Sequence, residues 1–246
     1  MKALITGASS GIGKEFAKIL AAKGYELVLV ARDEEKLKEL QKELNVNTKI
    51  VSMDLSNIDN CKKLHAENSD IDLLINNAGF GDCGNFTNTS LTKEIDMINT
   101  NIIAYHTLTK LYLIDMKKLN NGHILNVASI AGFMPGPLMA TYYATKSYVV
   151  RLSESIREEL HKENSNVKIS ILCPGPTKTN FLSVANVKFN MRVANSYKVA
   201  KYAINHLDRF YIVPGIDIKL AKLGAKLFPS NFVAKVTYMI QKKKLQ

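Results

Sequence analysis

The sequence predicts an α/β fold: a doubly wound parallel sheet of about seven strands, helices on both faces, and a helical extension at the C-terminus. Two observations carry that prediction. Short runs rich in Val, Ile and Leu alternate with segments of helical period along most of the chain. A glycine-rich turn, Thr6-Gly7-Ala8-Ser9-Ser10-Gly11-Ile12-Gly13, joins the first apolar run to the first helical segment. Strands buried on both faces read as unbroken apolar runs, and alternation with helices builds right-handed βαβ units.

The apolar runs occupy residues 3–6, 27–31, 49–52, 73–76, 122–128 and 167–173, with 210–214 as a last strand. Helical patterns occupy 11–23, 34–44, 57–67, 91–119, 141–162 and 196–207. No long Pro/Gly/Ser linker, low-complexity tract or repeat interrupts them, so residues 1–246 read as a single domain. Residues 216–246 form a basic amphipathic extension. Leu220, Leu223 and Leu227 share one face of a helix over 217–228, Lys219, Lys222 and Lys226 turn elsewhere, and Pro229 stops it before a second helix over 231–240. Docking of this pair onto the domain is the simpler expectation; a place on a membrane surface or at a substrate entrance is the alternative.

An apolar fraction of 46% over 246 residues suits a globular protein with a real core. No apolar run approaches the roughly 18 residues of a membrane span. Met1-Lys2-Ala3-Leu4-Ile5-Thr6 runs straight into a strand, which leaves no room for a secretory signal. Cys61, Cys83 and Cys173 are odd in number and lack a Cys-x-x-Cys spacing, as expected of reduced thiols in a cytoplasmic protein. The five histidines are scattered, so no metal site is expected. The net charge of +11 is uneven: residues 198–246 hold ten Lys or Arg against Asp208 and Asp217, a net of +8, and the rest carries +3. A solvated lysine-rich surface explains this; an anionic partner, either a membrane surface or a phosphorylated carrier, is the sharper reading. No motif points to nucleic acid.

The glycine turn has the context of a dinucleotide site, because backbone N–H groups and the helix dipole at a helix N-terminus attract phosphate. Gly7 permits the turn, Gly11 lets backbone approach the pyrophosphate, and Gly13 lets helix pack tightly; Ser9, Ser10 and Ile12 complete the cradle. Ala31-Arg32-Asp33 ends the second strand, where the adenosine ribose is read. Arg32 there favours the 2′-phosphate of NADP(H), while Asp33 next to it keeps NAD(H) open. Asp54-Leu55 ends the third strand and Asn76-Asn77-Ala78-Gly79 the fourth, both on the side where ligands bind in open α/β sheets. Further on, Tyr142-Tyr143-Ala144-Thr145-Lys146 places a phenol and an ammonium four residues apart on one helical face.

With these motifs in this order, residues 2–215 resemble a single-domain short-chain dehydrogenase/reductase of the Rossmann type. The resemblance implies that Gly7–Gly13, Asp54-Leu55 and Asn77-Ala78-Gly79 serve the cofactor. It implies that Asn101, Ser129, Tyr142 and Lys146 carry catalysis, Asn101 being chosen over Asn99 from the family's helix pattern and Tyr142 over Tyr143 because only it gives Tyr-x-x-x-Lys. Pro174, Gly175, Thr177 and Thr179 resemble the segment that closes over the nicotinamide. Lys146 and the oxidised ring are expected to lower the Tyr142 phenol from about 10 toward 7, Ser129 to bond the developing alkoxide, and Asn101 to hold a water linking Lys146 to solvent. A homodimer or homotetramer through the helices over 104–119 and 141–162 is also implied.

The stretch from Gly132 to Met139 and a lid over 180–195, with Phe181, Leu182, Phe189, Met191, Lys188 and Arg192, are expected to line an apolar substrate pocket. The expected activity is reduction of an apolar ketone or 3-oxoacyl group by NADPH, or the reverse. The alternatives are a cofactor sensor without turnover and a membrane-surface reductase of lipid-like substrates.

Overall fold

The apolar runs do become strands, and they pair side by side. The computed structural model describes residues 1–179 and 193–243. Strands β1 (Lys2–Thr6), β2 (Glu26–Ala31), β3 (Thr48–Ser52), β4 (Leu73–Asn76), β5 (His123–Val127), β6 (Lys168–Leu172) and β9 (Tyr211–Ile212) form one parallel sheet in the order β3-β2-β1-β4-β5-β6-β9. The chain winds outward from β1 to β3, then restarts on the other side of β1 with β4. That reversal opens a crevice at the carboxyl ends of β1 and β4, where open α/β sheets bind ligands.

Alternation within each strand feeds two cores. Ile5, Leu29 and Ile75 point to one face, where helices α1 (Gly11–Ala22) and α2 (Glu34–Lys42) cover them with Phe16, Leu20, Leu37 and Leu40. Leu4, Val28 and Leu74 point to the other, against Leu64 of α3 (Ile58–Ala66) and Leu108, Tyr112 and Met116 of α5 (Ala104–Leu119). Each such side chain contributes roughly 2 kcal/mol by leaving water.

One buried polar chain fixes the register around the site. Asn76 Nδ2 donates to Thr109 Oγ1 at 3.1 Å and to Asn126 Oδ1 at 2.9 Å, and Asn126 Nδ2 donates to Ser153 Oγ at 2.9 Å. It ties β4 and β5 to α5 and to α6 (Ala140–Lys162).

Three departures from the sequence reading matter. The helix expected over 91–119 is α4 (Leu91–Ile98) and α5 joined by a π turn over Asn99–Ile103, which spreads the backbone around Asn101. A two-stranded parallel ribbon, β7 (Thr177–Lys178) with β8 (Ala194–Asn195), has no apolar run to announce it. It precedes α7 (Ser196–Ile204). In the extension, α8 (Ile216–Leu227) is followed by α9 (Ser230–Lys242), and the leucine face of α8 does not dock: Leu220, Leu223 and Leu227 are 62%, 51% and 69% exposed. The inward contacts come instead from Ile218, which occupies the space a Cβ at Gly175 would need, and from Lys222 over the rings of Tyr211 and Phe133.

Among the described residues no helix is long and apolar enough to cross a membrane.

Candidate active site

The glycine turn is shaped by steric demand. Gly7 and Gly11 have φ of +67° and +57°, a region costly for other residues. A Cβ on Gly13 would lie 2.2 Å from the Gly7 carbonyl oxygen, and one on Gly7 would lie 2.9 Å from Ala78 Cα. Thr6 Oγ1 accepts from the backbone N–H groups of Asn77 and Ala78, both at 2.9 Å, and Asn77 Nδ2 returns a bond to the Thr6 carbonyl at 2.9 Å. The ends of β1 and β4 are thereby locked together. The first turn of α1 starts from Ser10, whose side chain makes no capping bond, so its free N–H groups face outward.

A cavity of about 450 Å³ opens in front of this turn. Gly7, Ser9, Ser10, Gly11 and Ile12 form its floor; Asp54, Leu55, Asn77, Ala78 and Gly79 form one wall. Arg32, just past the end of β2, lines it too, as do Pro174, Gly175, Thr177 and Thr179 after β6. Gly13 does not line the cavity. It sits behind the turn, and its lack of a Cβ lets α1 approach the Gly7 carbonyl and the Asn77 amide. A helix N-terminus without a side-chain cap, a glycine turn and a cavity of this size lined by the ends of the strands fit a dinucleotide.

Charge at the ribose end is unequal between the two candidates. The Asp33 side chain accepts from Lys36 N at 3.0 Å as the N-cap of α2 and also pairs with the Lys36 ammonium, which holds its carboxyl below the usual range. The exposed Arg32 guanidinium makes no ion pair or hydrogen bond among the described residues.

Ser129, Tyr142 and Lys146 meet in the same cavity. Ser129 follows β5 and starts a short 3-10 turn, Ile130–Phe133, its Oγ accepting from Ala131 N at 3.2 Å. It also hydrogen-bonds the Tyr142 hydroxyl. Lys146 is buried one turn along α6, and its Nζ donates to the Val127 carbonyl at 3.0 Å. Loss of water pushes the Tyr142 phenol up to about 12, with Ser129 pulling the other way. The same loss of water brings the Lys146 ammonium down to about 8. Lys146 Nζ stands 6.0 Å from the Tyr142 ring centroid and gives one of its three hydrogens to Val127.

Asn101 is fully buried and lies outside the cavity lining. Its Oδ1 accepts from Phe80 N at 3.1 Å, and its Nδ2 donates to the Phe80 carbonyl at 2.9 Å and to Thr145 Oγ1 at 3.1 Å. Its side chain thus holds the segment after β4 against α6, with both Nδ2 hydrogens used and the second lone pair of Oδ1 still open to a further donor. The apolar stretch before Tyr142 differs from expectation. Of residues 132–139 only Met139 lines the cavity. Gly136 instead makes room for the Tyr143 ring, which a Cβ would meet at 2.1 Å. Of the expected lid, residues 180–192, with Phe181, Leu182, Lys188, Phe189, Met191 and Arg192, lie outside the described residues; 194–195 belong to β8.

Comparison with known proteins agrees with this geometry. The short chain dehydrogenase family matches residues 1–190. This chain is a short-chain dehydrogenase/reductase. It is 36% identical over 181 residues to an uncharacterized oxidoreductase of Staphylococcus epidermidis, covering 72% of this chain and 78% of that one. It is 38% identical over 179 residues to a very-long-chain 3-oxoacyl-CoA reductase of Phaeosphaeria nodorum, covering 68% of this chain but only 52% of the relative. Among solved structures, a short-chain dehydrogenase from Sphingobium yanoikuyae in complex with NADPH superposes with a TM-score of 0.83 at 27% identity, covering 92% of each chain.

As a member of this family the chain is an NAD(P)-dependent oxidoreductase. Several residues that build its site escaped the sequence reading. Thr6, Thr145 and Tyr105 act on neighbours: Tyr105 Oη donates to the same Val127 carbonyl that Lys146 uses, at 3.1 Å, and its ring lies 5.2 Å from Nζ. Thr145 was visible inside the Tyr-x-x-x-Lys motif, but Tyr105 and Gln241, which also reaches the cavity, carry no local signal.

Proposed function

We propose that this enzyme reduces an apolar ketone or 3-oxoacyl group with NADPH, Tyr142 delivering the proton, and oxidises the alcohol in reverse. The observation that carries this reading is the convergence of the Ser129 and Tyr142 hydroxyls, backed by buried Lys146, in the same cavity that the glycine turn lines. A nicotinamide held by these residues would supply or take the hydride, and in its oxidised form would add positive charge to that of Lys146 near the Tyr142 phenol. Ser129 and Tyr142 hold the substrate oxygen from two donors, and Tyr142 passes its proton to that oxygen. Lys146, brought down to about 8 by burial, can exchange protons near neutral pH, and a bridging hydroxyl or water between its Nζ and the Tyr142 oxygen would let it restore the phenol. The choice of NADP(H) over NAD(H) rests on Arg32 being free for a 2′-phosphate while Asp33 is engaged by Lys36. The NADPH complex of the Sphingobium relative and the 3-oxoacyl-CoA reductase relative support the same cofactor and substrate class. With a reduced cytoplasmic NADP pool the direction is reduction. A dimer or tetramer through α5 and α6 follows the family's habit and is part of this proposal.

The test supplies NADPH or NADH with a panel of aryl ketones, ketosteroids and 3-oxoacyl thioesters. Tyr142→Phe is expected to lose about 10³-fold in kcat while still binding NADPH. Full turnover by that variant removes Tyr142 from the proton-donor role. NADPH binding by the wild type with no turnover on the whole panel favours a sensor.

A membrane-surface setting is favoured by one specific feature, the outward stripe of Ile216, Leu220, Leu223 and Leu227 on α8, flanked by Lys219 and Lys226. Such a face suits an anionic lipid surface, and two copies pressed together through it would oppose like charges. Sedimentation with phosphatidylserine-containing vesicles tests it.

A further inference from the structure

Helix α9 turns one stripe inward, and its residues become more polar toward the cavity: Val233, Thr237 and Gln241 are its buried side chains. Thr237 is satisfied by the Val233 carbonyl at 2.8 Å. Gln241 is different. It is 1% exposed, lines the same cavity as Ser129 and Tyr142, and donates through Nε2 to the hydroxyl of Tyr143, yet its Oε1 meets no hydrogen-bond partner among the described residues. A buried amide oxygen left unpaired is costly, and a leucine of similar volume would fill the position without that penalty. Turning the amide over only exchanges which of its two polar atoms is left over. Tyr143 holds the amide in place, because its own ring is wedged over Gly136.

We propose that Gln241 is a specificity-determining residue whose free amide oxygen accepts a hydrogen bond from an N–H or O–H group carried by the substrate away from its reacting carbonyl. This rests on the reductase reading above and narrows its substrate class. The preferred compound is an apolar carbonyl compound with one polar donor, such as a 3-oxoacyl thioester whose thiol arm bears a secondary amide, in place of a plain hydrocarbon ketone. A site built to bond such a donor discriminates against the analogue that lacks it.

The test compares two acetoacetyl thioesters of equal arm length, the S-(2-acetamidoethyl) and the S-pentyl compound, with NADPH. The wild type should favour the acetamido thioester by about tenfold in kcat/KM. Gln241→Leu should bring the two within about twofold, the loss appearing in the KM of the acetamido compound, with NADPH affinity showing that the variant is folded. Should the leucine variant fail to fold, Gln241→Met, equally long and without the amide, reads the same ratio. Equal use of both thioesters by the wild type, or a preference that survives the loss of the amide, overturns the assignment of Gln241 and leaves the reductase standing. Reduction of neither thioester by the wild type, with no turnover across the ketone panel, overturns both.

Discussion

At the glycine end of the cavity the wall is a tight turn with almost no side chains of its own: Gly7 and Gly13 approach Ala78 and Asn77 at the end of β4, and Gly11 approaches Thr179, at distances that leave no space for a Cβ. At the helix end the wall is side chains from distant parts of the chain, with Gln241 bonded to Tyr143 across 98 residues and Ile218 seated over Gly175. The first region tolerates no added atom; the second tolerates change of shape and answers to change of polarity. A cofactor shared by many enzymes needs a fixed mould, whereas a substrate end can vary with the helices that happen to cover it.

Substitutions can break or sharpen that contrast, and the largest effect falls on the mould. Gly13→Ala should lower stability by about 3 kcal/mol through the clash with the Gly7 carbonyl and abolish measurable NADPH binding, read by urea unfolding and by titration. A variant of normal stability would show that the turn is softer than its geometry implies.

Lys146→Met moves stability and activity in opposite directions. The buried ammonium titrates at about 8, below the 10.5 of an unfolded lysine, so the folded chain binds fewer protons between those values. Its cost to stability is therefore full below about pH 8 and fades as pH rises toward 10.5. At pH 7 the methionine variant should be more stable, on the order of 2 kcal/mol, with turnover lost. The Val127 carbonyl keeps its bond from Tyr105. The gain should shrink as melting is followed from pH 7 to 10, and a gain independent of pH would locate the cost elsewhere.

Arg32→Ala is a smaller perturbation on an exposed rim. The KM for NADPH should rise about tenfold with that for NADH nearly unchanged, since a charge-assisted contact contributes about 1.5 kcal/mol or more. Parallel changes for both cofactors would remove Arg32 from phosphate reading. Smallest of all, Leu220→Asp on the outward face of α8 should alter the melting temperature by less than about 1 °C, because that side chain is mostly exposed, yet it should abolish vesicle binding. Point substitutions are preferable here to removing residues 216–246, which would also take Gln241 from the cavity and Ile218 from behind Gly175.

Legibility in the sequence followed local spacing. Gly7, Gly11, Ser129, Tyr142 and Lys146 sit in short motifs at strand ends or one helical turn apart, so the letters alone mark them, although their partners in space (Ala78, Thr179, Val127) lie far off in sequence. Asn101 was found by its motif, but its side chain serves Phe80 and Thr145, partners set by the π turn and by α6. Arg32 and Asp33 were equally legible as letters; only the capping bond to Lys36 N separated the engaged carboxylate from the available guanidinium. The leucines of α8 looked like a docking face, since periodicity marks an apolar side without saying what lies opposite it.

Apolar runs, helical periods and the glycine spacing by themselves determined the parallel sheet and the glycine turn between its first strand and first helix, because each follows from local geometry or from burial along one element. Which atoms meet at the substrate end, how far water is excluded from Tyr142 and Lys146, and which face of the last helices turns inward were decided only when the chain closed. Those properties depend on residues far apart in sequence and on the dielectric they jointly create, and no single segment contains either.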